Sequence, residues 1–173
     1  MSSRGMVVRP ASADDLDEIG SILADAARRT AEAGFPNPWP IPFPRSIVEP
    51  HVARGEVFLA GPDGARWAAT ITLLWEDPVF WGARPPDAGY VHRLAVRSAH
   101  VGAGWGTRLL AWAASRTRAR GRAYLRLDCV SANERLCAYY RDLGFREVGA
   151  RTVQGWPVTL FEQPLVPAPP GPP

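Results

Sequence analysis

Val91-His92-Arg93-Leu94-Ala95-Val96-Arg97-Ser98-Ala99-His100-Val101-Gly102-Ala103-Gly104-Trp105-Gly106 is the stretch on which the reading of this chain turns. It reads as a strand, a short turn and a glycine cluster opening an amphipathic helix over Thr107–Arg120. Gly102, Gly104 and Gly106 leave the main chain uncovered by side chains, so its N–H groups can close around an anion. The helix that follows aims its positive end at the same spot. Such a cradle suits a diphosphate.

Two common cradles do not match the letters. A Walker loop needs a lysine after its last glycine, and all 20 basic residues of this chain are arginine. A dinucleotide fingerprint would put its third glycine at 107, where Thr107 stands. Asp128 does lie about 20 residues downstream, where that fingerprint wants its ribose-binding acid. Several elements precede the cradle, however, whereas the fingerprint belongs to the first strand-helix unit of its fold.

The segment resembles the coenzyme A site of the GNAT family of N-acetyltransferases. That signature, Arg/Gln-x-x-Gly-x-Gly/Ala after a strand often ending in Leu-Ala-Val, maps to Val101–Gly106 after Leu94-Ala95-Val96. A second block similar to the family follows at the expected distance: Asn133-Glu134-Arg135-Leu136, then Tyr140, then Leu143-Gly144-Phe145. The match covers Tyr90 to Gly149, and Val7-Val8-Arg9-Pro10-Ala11 with the helix after it resembles the family's opening. Val101 departs from the pattern, standing where the family has Arg or Gln. His100 or Arg108 is at hand to replace that polar contact.

The resemblance implies an α/β (α+β) fold: a mixed, mainly antiparallel sheet of six to seven strands with helices on both faces. Its two central parallel strands, here Tyr90–Val96 and Tyr124–Cys129, would splay apart to admit acetyl-CoA from one side and an amine from the other. The main chain of Leu94, Ala95 and Val96 would hold the pantetheine arm like an added strand. Val101, Gly102, Ala103, Gly104, Trp105, Gly106 and Thr107 would hold the pyrophosphate, with Asn133 as a further cofactor contact.

Bulk properties bound the class. A chain of 173 residues suits one domain, expected over residues 7–163 between a flexible N-terminus (1–6) and a proline-rich disordered tail (164–173). No apolar run approaches the roughly 20 residues of a membrane helix, and the first residues lack the apolar stretch of a secretory signal. Cys129 and Cys137 fit neither a CxxC motif nor a disulfide framework, so both read as reduced thiols of a cytoplasmic protein. Net charge is only +3. The run Arg116, Arg118, Arg120, Arg122 has no interleaved aromatics and reads as a solvated helix end rather than a nucleic-acid surface, with a nucleotide 3′-phosphate as the sharper alternative.

Along the chain, a strand is expected over Val7–Pro10 and a helix from Ser12 or Ala13 to about Ala33 with the stripe Leu16, Ile19, Ile22, Leu23. Alternating prolines keep Phe35–Pro44 out of helix and central strand. A short helix over Arg45–Arg54, disturbed by Pro50, precedes hairpin strands Glu56–Ala60 and Arg66–Trp75 around Gly61-Pro62-Asp63-Gly64. A loop Glu76–Gly89 leads to the central strand. Ala123–Cys129 follows the helix capped by Gly121. Asn133–Leu143 is a helix closed by Gly144, and Phe145–Arg151 and Val158–Gln163 end the sheet.

Acyl transfer to an amine needs a neutral amine, a donor for the oxyanion and a proton for the departing thiolate. The resemblance places the donor at a backbone N–H near Leu94 or Ala95, where relatives carry a bulge, and the proton on Tyr140. A phenol serves a thiolate only with help, from a lowered pKa or from collapse of the intermediate. A core tyrosine with a satisfied hydroxyl is the competing reading. His92 stands where many relatives place a glutamate and suits a base, directly or through water, though a strand histidine bonded to backbone reads equally well. Glu76 and Asp77 are the reserve bases. Cys129, alternating with Leu125 and Leu127, reads as a buried thiol rather than an acyl carrier. His51 and His100 lack further ligands at metal spacing, so no metal is expected.

Phe35, Trp39 and Phe43 fall where the family places a variable loop over the acceptor, with Trp75, Trp81 and Trp156 from other segments. Either they wall a site for an amphipathic amine or they anchor proline-rich loops. The expected activity is acetyl-CoA-dependent N-acetylation of a small-molecule primary amine. Acetylation of a protein or peptide amine, or non-catalytic acyl-CoA binding, are the alternatives. A homodimer is admitted, its sign being an exposed tryptophan on the last strands.

Overall fold

A computed structural model describes residues 5–63 and 65–165; the tail expected to be disordered lies, beyond 165, outside the described residues. The elements are β1 (Met6–Pro10), α1 (Leu16–Glu32), α2 (Arg45–Ala53), β2 (Val57–Pro62), β3 (Ala69–Leu74), α3 (Pro78–Trp81) and β4 (Ala88–Val96). They continue as α4 (Trp105–Ala119), β5 (Tyr124–Val130), α5 (Glu134–Asp142), β6 (Arg146–Val153) and β7 (Trp156–Pro164). The strands form one mixed, seven-stranded sheet in the order β1-β2-β3-β4-β5-β7-β6. The chain divides into two compact units, Met1–Leu73 with His92–Leu109, and Leu74–Val91 with Leu110–Pro173.

In the first unit β1 and β2 pair antiparallel with Arg9 opposite Leu59, and β2 and β3 pair with Leu59 opposite Thr70. The stripe Leu16, Ile19, Ile22, Leu23 is buried as its helical spacing requires and packs with Val48 and Val52 of α2 and Leu59 of β2. A 3-10 turn, Ala13–Asp15, precedes α1. There Asp15 Oδ2 accepts from the Ser12 N–H at 2.8 Å and from the Ser12 hydroxyl at 3.0 Å, tying down the helix entry. Arg9 adds a two-pronged ion pair, Nη1 and Nη2 each 2.8 Å from an Asp15 oxygen. Helix α2 continues through Pro50 to Ala53. Strand β3 begins only at Ala69, three residues later than expected, although the Ala68 N–H already donates to the Ala60 carbonyl at 2.8 Å.

In the second unit the parallel register of β4 and β5 runs from Ala88↔Tyr124 to Val91↔Leu127. Strand β7 pairs antiparallel with β5 and with β6, which carries an irregularity between Glu147 and Gly149. Arg126, buried on β5, donates to Glu162 at 2.7 Å, Asp87 at 2.8 Å and the Tyr90 hydroxyl at 3.0 Å. Burial opposes its charge, but those hydrogen bonds outweigh it and raise its pKa. The loop expected over Glu76–Gly89 contains the short helix α3, which begins with Pro78 and is capped by Asp77, whose Oδ1 accepts from the Phe80 N–H at 3.2 Å. Gly121 and Gly144 end α4 and α5 as expected.

Candidate functional site

The glycine cradle belongs to the first unit and is held from α1. Asp25 Oδ2 accepts from the Ser98 N–H at 2.6 Å, Arg29 donates to Ser98 Oγ at 3.0 Å, and Arg97 donates to Ser21 Oγ at 3.1 Å. Arg97 also donates to the Trp67 carbonyl at 3.1 Å and lies 2.8 Å from Glu18. Gly102 (φ 82°) and Gly104 (φ 77°) both take the left-handed conformation that glycine adopts freely. Helix α4 starts at Trp105, two residues earlier than expected, so Gly106 and Thr107 lie in its first turn. The first bond into this helix is Arg108 N–H to Gly104 O at 3.0 Å. Among the described residues, the N–H groups of Gly102, Gly104, Trp105 and Gly106 have no acceptor.

The side chains around the cradle are arranged for packing. Trp105 is buried, meets the His100 ring edge-on at 6.1 Å and carries the Arg108 guanidinium 4.7 Å from its ring centroid. Val101 is half exposed, at 51 %. Upstream, Ala95 is buried in the core with α1, while His92, Leu94 and Val96 are half-buried. The irregularity expected near Leu94 or Ala95 falls at Arg93, whose φ is 49°. A non-glycine residue there costs about 1–2 kcal/mol, and such strain gathers at functional positions. Sequence reading passed over Arg93; a cation amid the apolar letters of a central strand was the available signal.

The second unit holds Asn133 and Tyr140. Asn133 caps α5, its Oδ1 accepting from the Leu136 N–H at 3.1 Å. Tyr140 is buried among Tyr139, Phe145 and Phe161, with ring centroids 5.4, 5.9 and 5.7 Å away. No hydrogen bond among the described residues engages its hydroxyl, so the satisfied-core reading does not describe it. Burial, then the neighbouring Cys129 and Tyr139, push its pKa up. Of the two forms of help expected for the phenol, a lowered pKa is therefore absent from the protein itself.

The aromatics expected at the acceptor mouth take separate packing roles. Phe43 is buried in the core with α1 and meets Trp39 edge-on at 6.0 Å, while Phe35 is half-buried. Trp75 lies under Arg120 and Arg122, at 4.4 and 5.2 Å, and Glu76 is exposed. Trp156 is half-buried against the cluster of Trp81, Tyr90 and Leu160, so it is not the exposed tryptophan that would mark a dimer. Arg122 also donates to the carbonyls of Trp75 and Ala88 at 2.6 and 2.7 Å, so this end of the basic run is structural. In the first unit a groove of about 600 Å³ lies between α1 and Pro42–Arg45. His51, half-buried on α2, sits with Nδ1 2.7 Å from Glu56 Oε2.

Residues 24–145 match the model of the acetyltransferase (GNAT) family. The chain is 30% identical over 155 residues to the uncharacterised N-acetyltransferase YesJ of Bacillus subtilis strain 168, covering 84% of each. A GNAT-family acetyltransferase from Listeria monocytogenes 4b F2365 superimposes with a TM-score of 0.76 at 25% identity, covering 92% of this chain and 95% of that one. The ribosomal-protein-S18-alanine N-acetyltransferase of Escherichia coli shares the fold with a TM-score of 0.68 at 19% identity, covering 96% and 98%. With a family match over most of its length, a strand-cradle-helix of unpaired amides and the second sequence block in place, this chain belongs to the GNAT family of N-acetyltransferases.

Proposed function

We propose that this protein transfers the acetyl group of acetyl-CoA to a primary amine of a small molecule, by direct attack in a ternary complex. The observation that carries the reading is the run of unpaired N–H groups at Gly102, Gly104, Trp105 and Gly106 where α4 begins. Donors so arranged suit a pyrophosphate, and the open space beside Gly102 and Gly104 leaves room for one. The backbone of Leu94, Ala95 and Val96 would hold the pantetheine amides, with Val101, Ala103, Thr107 and Asn133 as further contacts. When bound, acetyl-CoA supplies an activated thioester.

The chain's own groups do the rest. A main-chain N–H at Leu94 or Ala95, following the bend at Arg93, stabilises the oxyanion. Tyr140, kept neutral by burial, donates its proton to the departing thiolate as the intermediate collapses rather than by standing acidity. His92 takes the proton of the attacking amine, directly or through water, with Glu76 in reserve. Phe35 and the open side of Trp39 contribute apolar surface for the acceptor, with Trp75 and Trp156 as lesser candidates.

Thiol release from acetyl-CoA across a panel of small amines and peptides tests this. Turnover of small amines is expected. Turnover of peptides alone would move the reading to protein acetylation, and tight binding of coenzyme A without thiol release would leave a non-catalytic module.

A further inference from the structure

Arg93 stands in the middle of β4, an interior strand, in a left-handed conformation that arginine does not favour. Its side chain is half-buried, and among the described residues it makes no hydrogen bond and no ion pair. Other arginines of the fold are matched: Arg9 with Asp15, Arg97 with Glu18, Arg126 with Asp87 and Glu162. Burial lowers the pKa of Arg93, with no carboxylate to offset it.

The charge of Arg93 reaches His51 on α2. His51 sits 2.7 Å from Glu56, and Arg54 Nε donates to both Glu56 oxygens at 3.1 Å. Glu56 is thus committed to His51 and Arg54. Burial first, with the charges of Arg93 and Arg54 and against the Glu56 hydrogen bond, holds His51 below its ordinary value. One uncompensated, half-buried guanidinium remains, three residues before the end of the strand proposed to hold the pantetheine arm.

We infer that Arg93 is an anion-binding point for the acyl acceptor, and that the acceptor amine carries a carboxylate. This rests on the acetyl-transfer reading above. The donor's phosphates have their own partners in the amides from Gly102 onward, while its pantetheine arm and acetyl group are uncharged. A charge missing from the site is therefore most simply brought by the second substrate. A planar guanidinium fork matches a carboxylate in shape, and a single cation matches its single charge.

The test compares amino acids, the corresponding amino amides and aminoalkyl phosphates as acceptors for the wild type, Arg93→Asn and Arg93→Lys. Asparagine is at home at positive φ, so Arg93→Asn spares the backbone; thermal melting and coenzyme A calorimetry check that fold and donor binding persist. The wild type is expected to favour the acid over its amide by at least about tenfold in kcat/KM. Arg93→Asn should bring the acid-to-amide ratio of kcat/KM close to one and keep coenzyme A affinity, while Arg93→Lys restores part of the ratio, which is read whatever the change in overall rate. Calorimetry with N-acetylamino acids and their amides, in the presence of coenzyme A, reads the same preference without turnover. If that preference depends on Arg93 although no amine releases thiol, the anion site stands and the acetyl-transfer reading falls. Thiol release with equal use of acids and amides, unchanged in Arg93→Asn, overturns the inference alone. A preference for phosphates, a loss of coenzyme A affinity in Arg93→Asn, or no binding of either acetylated probe with no acid preference in turnover also overturns it.

Discussion

The Sγ atoms of Cys129 on β5 and Cys137 on α5 lie 3.3 Å apart, and both remain free thiols in the interior. Burial, reinforced by Cys137, pushes the Cys129 thiol well above its ordinary value. Thiolate is the reactive form, so native Cys129 should react with an aromatic disulfide reagent at least about 100-fold more slowly than an exposed cysteine. Denaturant should release both thiols at once. Cys129→Ala is expected to keep most of the acetyl-transfer activity; a fast-reacting native thiol together with a dead Cys129→Ala protein would restore the acyl-carrier scheme.

Removing the Tyr140 hydroxyl tests its proton. Tyr140→Phe keeps the ring among Phe145 and Phe161, so the fold and coenzyme A affinity should hold. Turnover should fall by about 100-fold or more, the usual contribution of a positioned acid. Steady-state kinetics with a slow and a fast acceptor would read this, and equal kcat in both proteins would remove Tyr140 from the mechanism. His92→Ala should lower the rate most at high pH, where a general base is in its proton-accepting form, and least at low pH; pH–rate profiles of both proteins read this, and an unchanged profile would point to water or Glu76.

Gly102→Ala and Gly104→Ala separate conformation from space. No atom lies within 4 Å of a Cβ built at either position, so a methyl group meets nothing. The left-handed φ of 82° and 77° is another matter. An alanine held there costs about 1–2 kcal/mol, or leaves that conformation and disperses the amides. Coenzyme A affinity should drop about tenfold in calorimetry for the same reason, with the melting temperature lowered by only about 2–8 °C. Unaltered affinity in both variants would mean the cradle does not hold the donor.

Asp15 makes the stability of the first unit sensitive to acid. Hydrogen bonds from Arg9, with those from Ser12, hold its carboxyl well below the usual carboxylate range. A depressed native pKa means stability that is fully present above the ordinary value of 3.8 and lost as the pH falls through the native one. Asp15→Asn should therefore cost about 1–2 kcal/mol in urea unfolding at neutral pH. The gap between the two proteins should close progressively below 3.8. A gap that stays constant with pH would show that the charge on Asp15 contributes nothing.

Local patterns in the sequence determined much of this protein. The spacing of Leu16, Ile19, Ile22 and Leu23 specifies the buried face of α1, because helical period is a property of neighbouring letters. The alternate glycines before α4 announce the cradle for the same reason: a left-handed bend and bare amides are set within a few residues. Tyr140 and Asn133 were singled out in the sequence through the family resemblance of the second block. Tertiary structure alone decided which side chains have partners. Phe43 is spent on the core beneath the proline-rich segment, Cys129 meets Cys137, and Arg126 finds two carboxylates while Arg93 finds none. Burial and charge balance are sums over residues distant in the chain, and only the folded arrangement brings those contributions together.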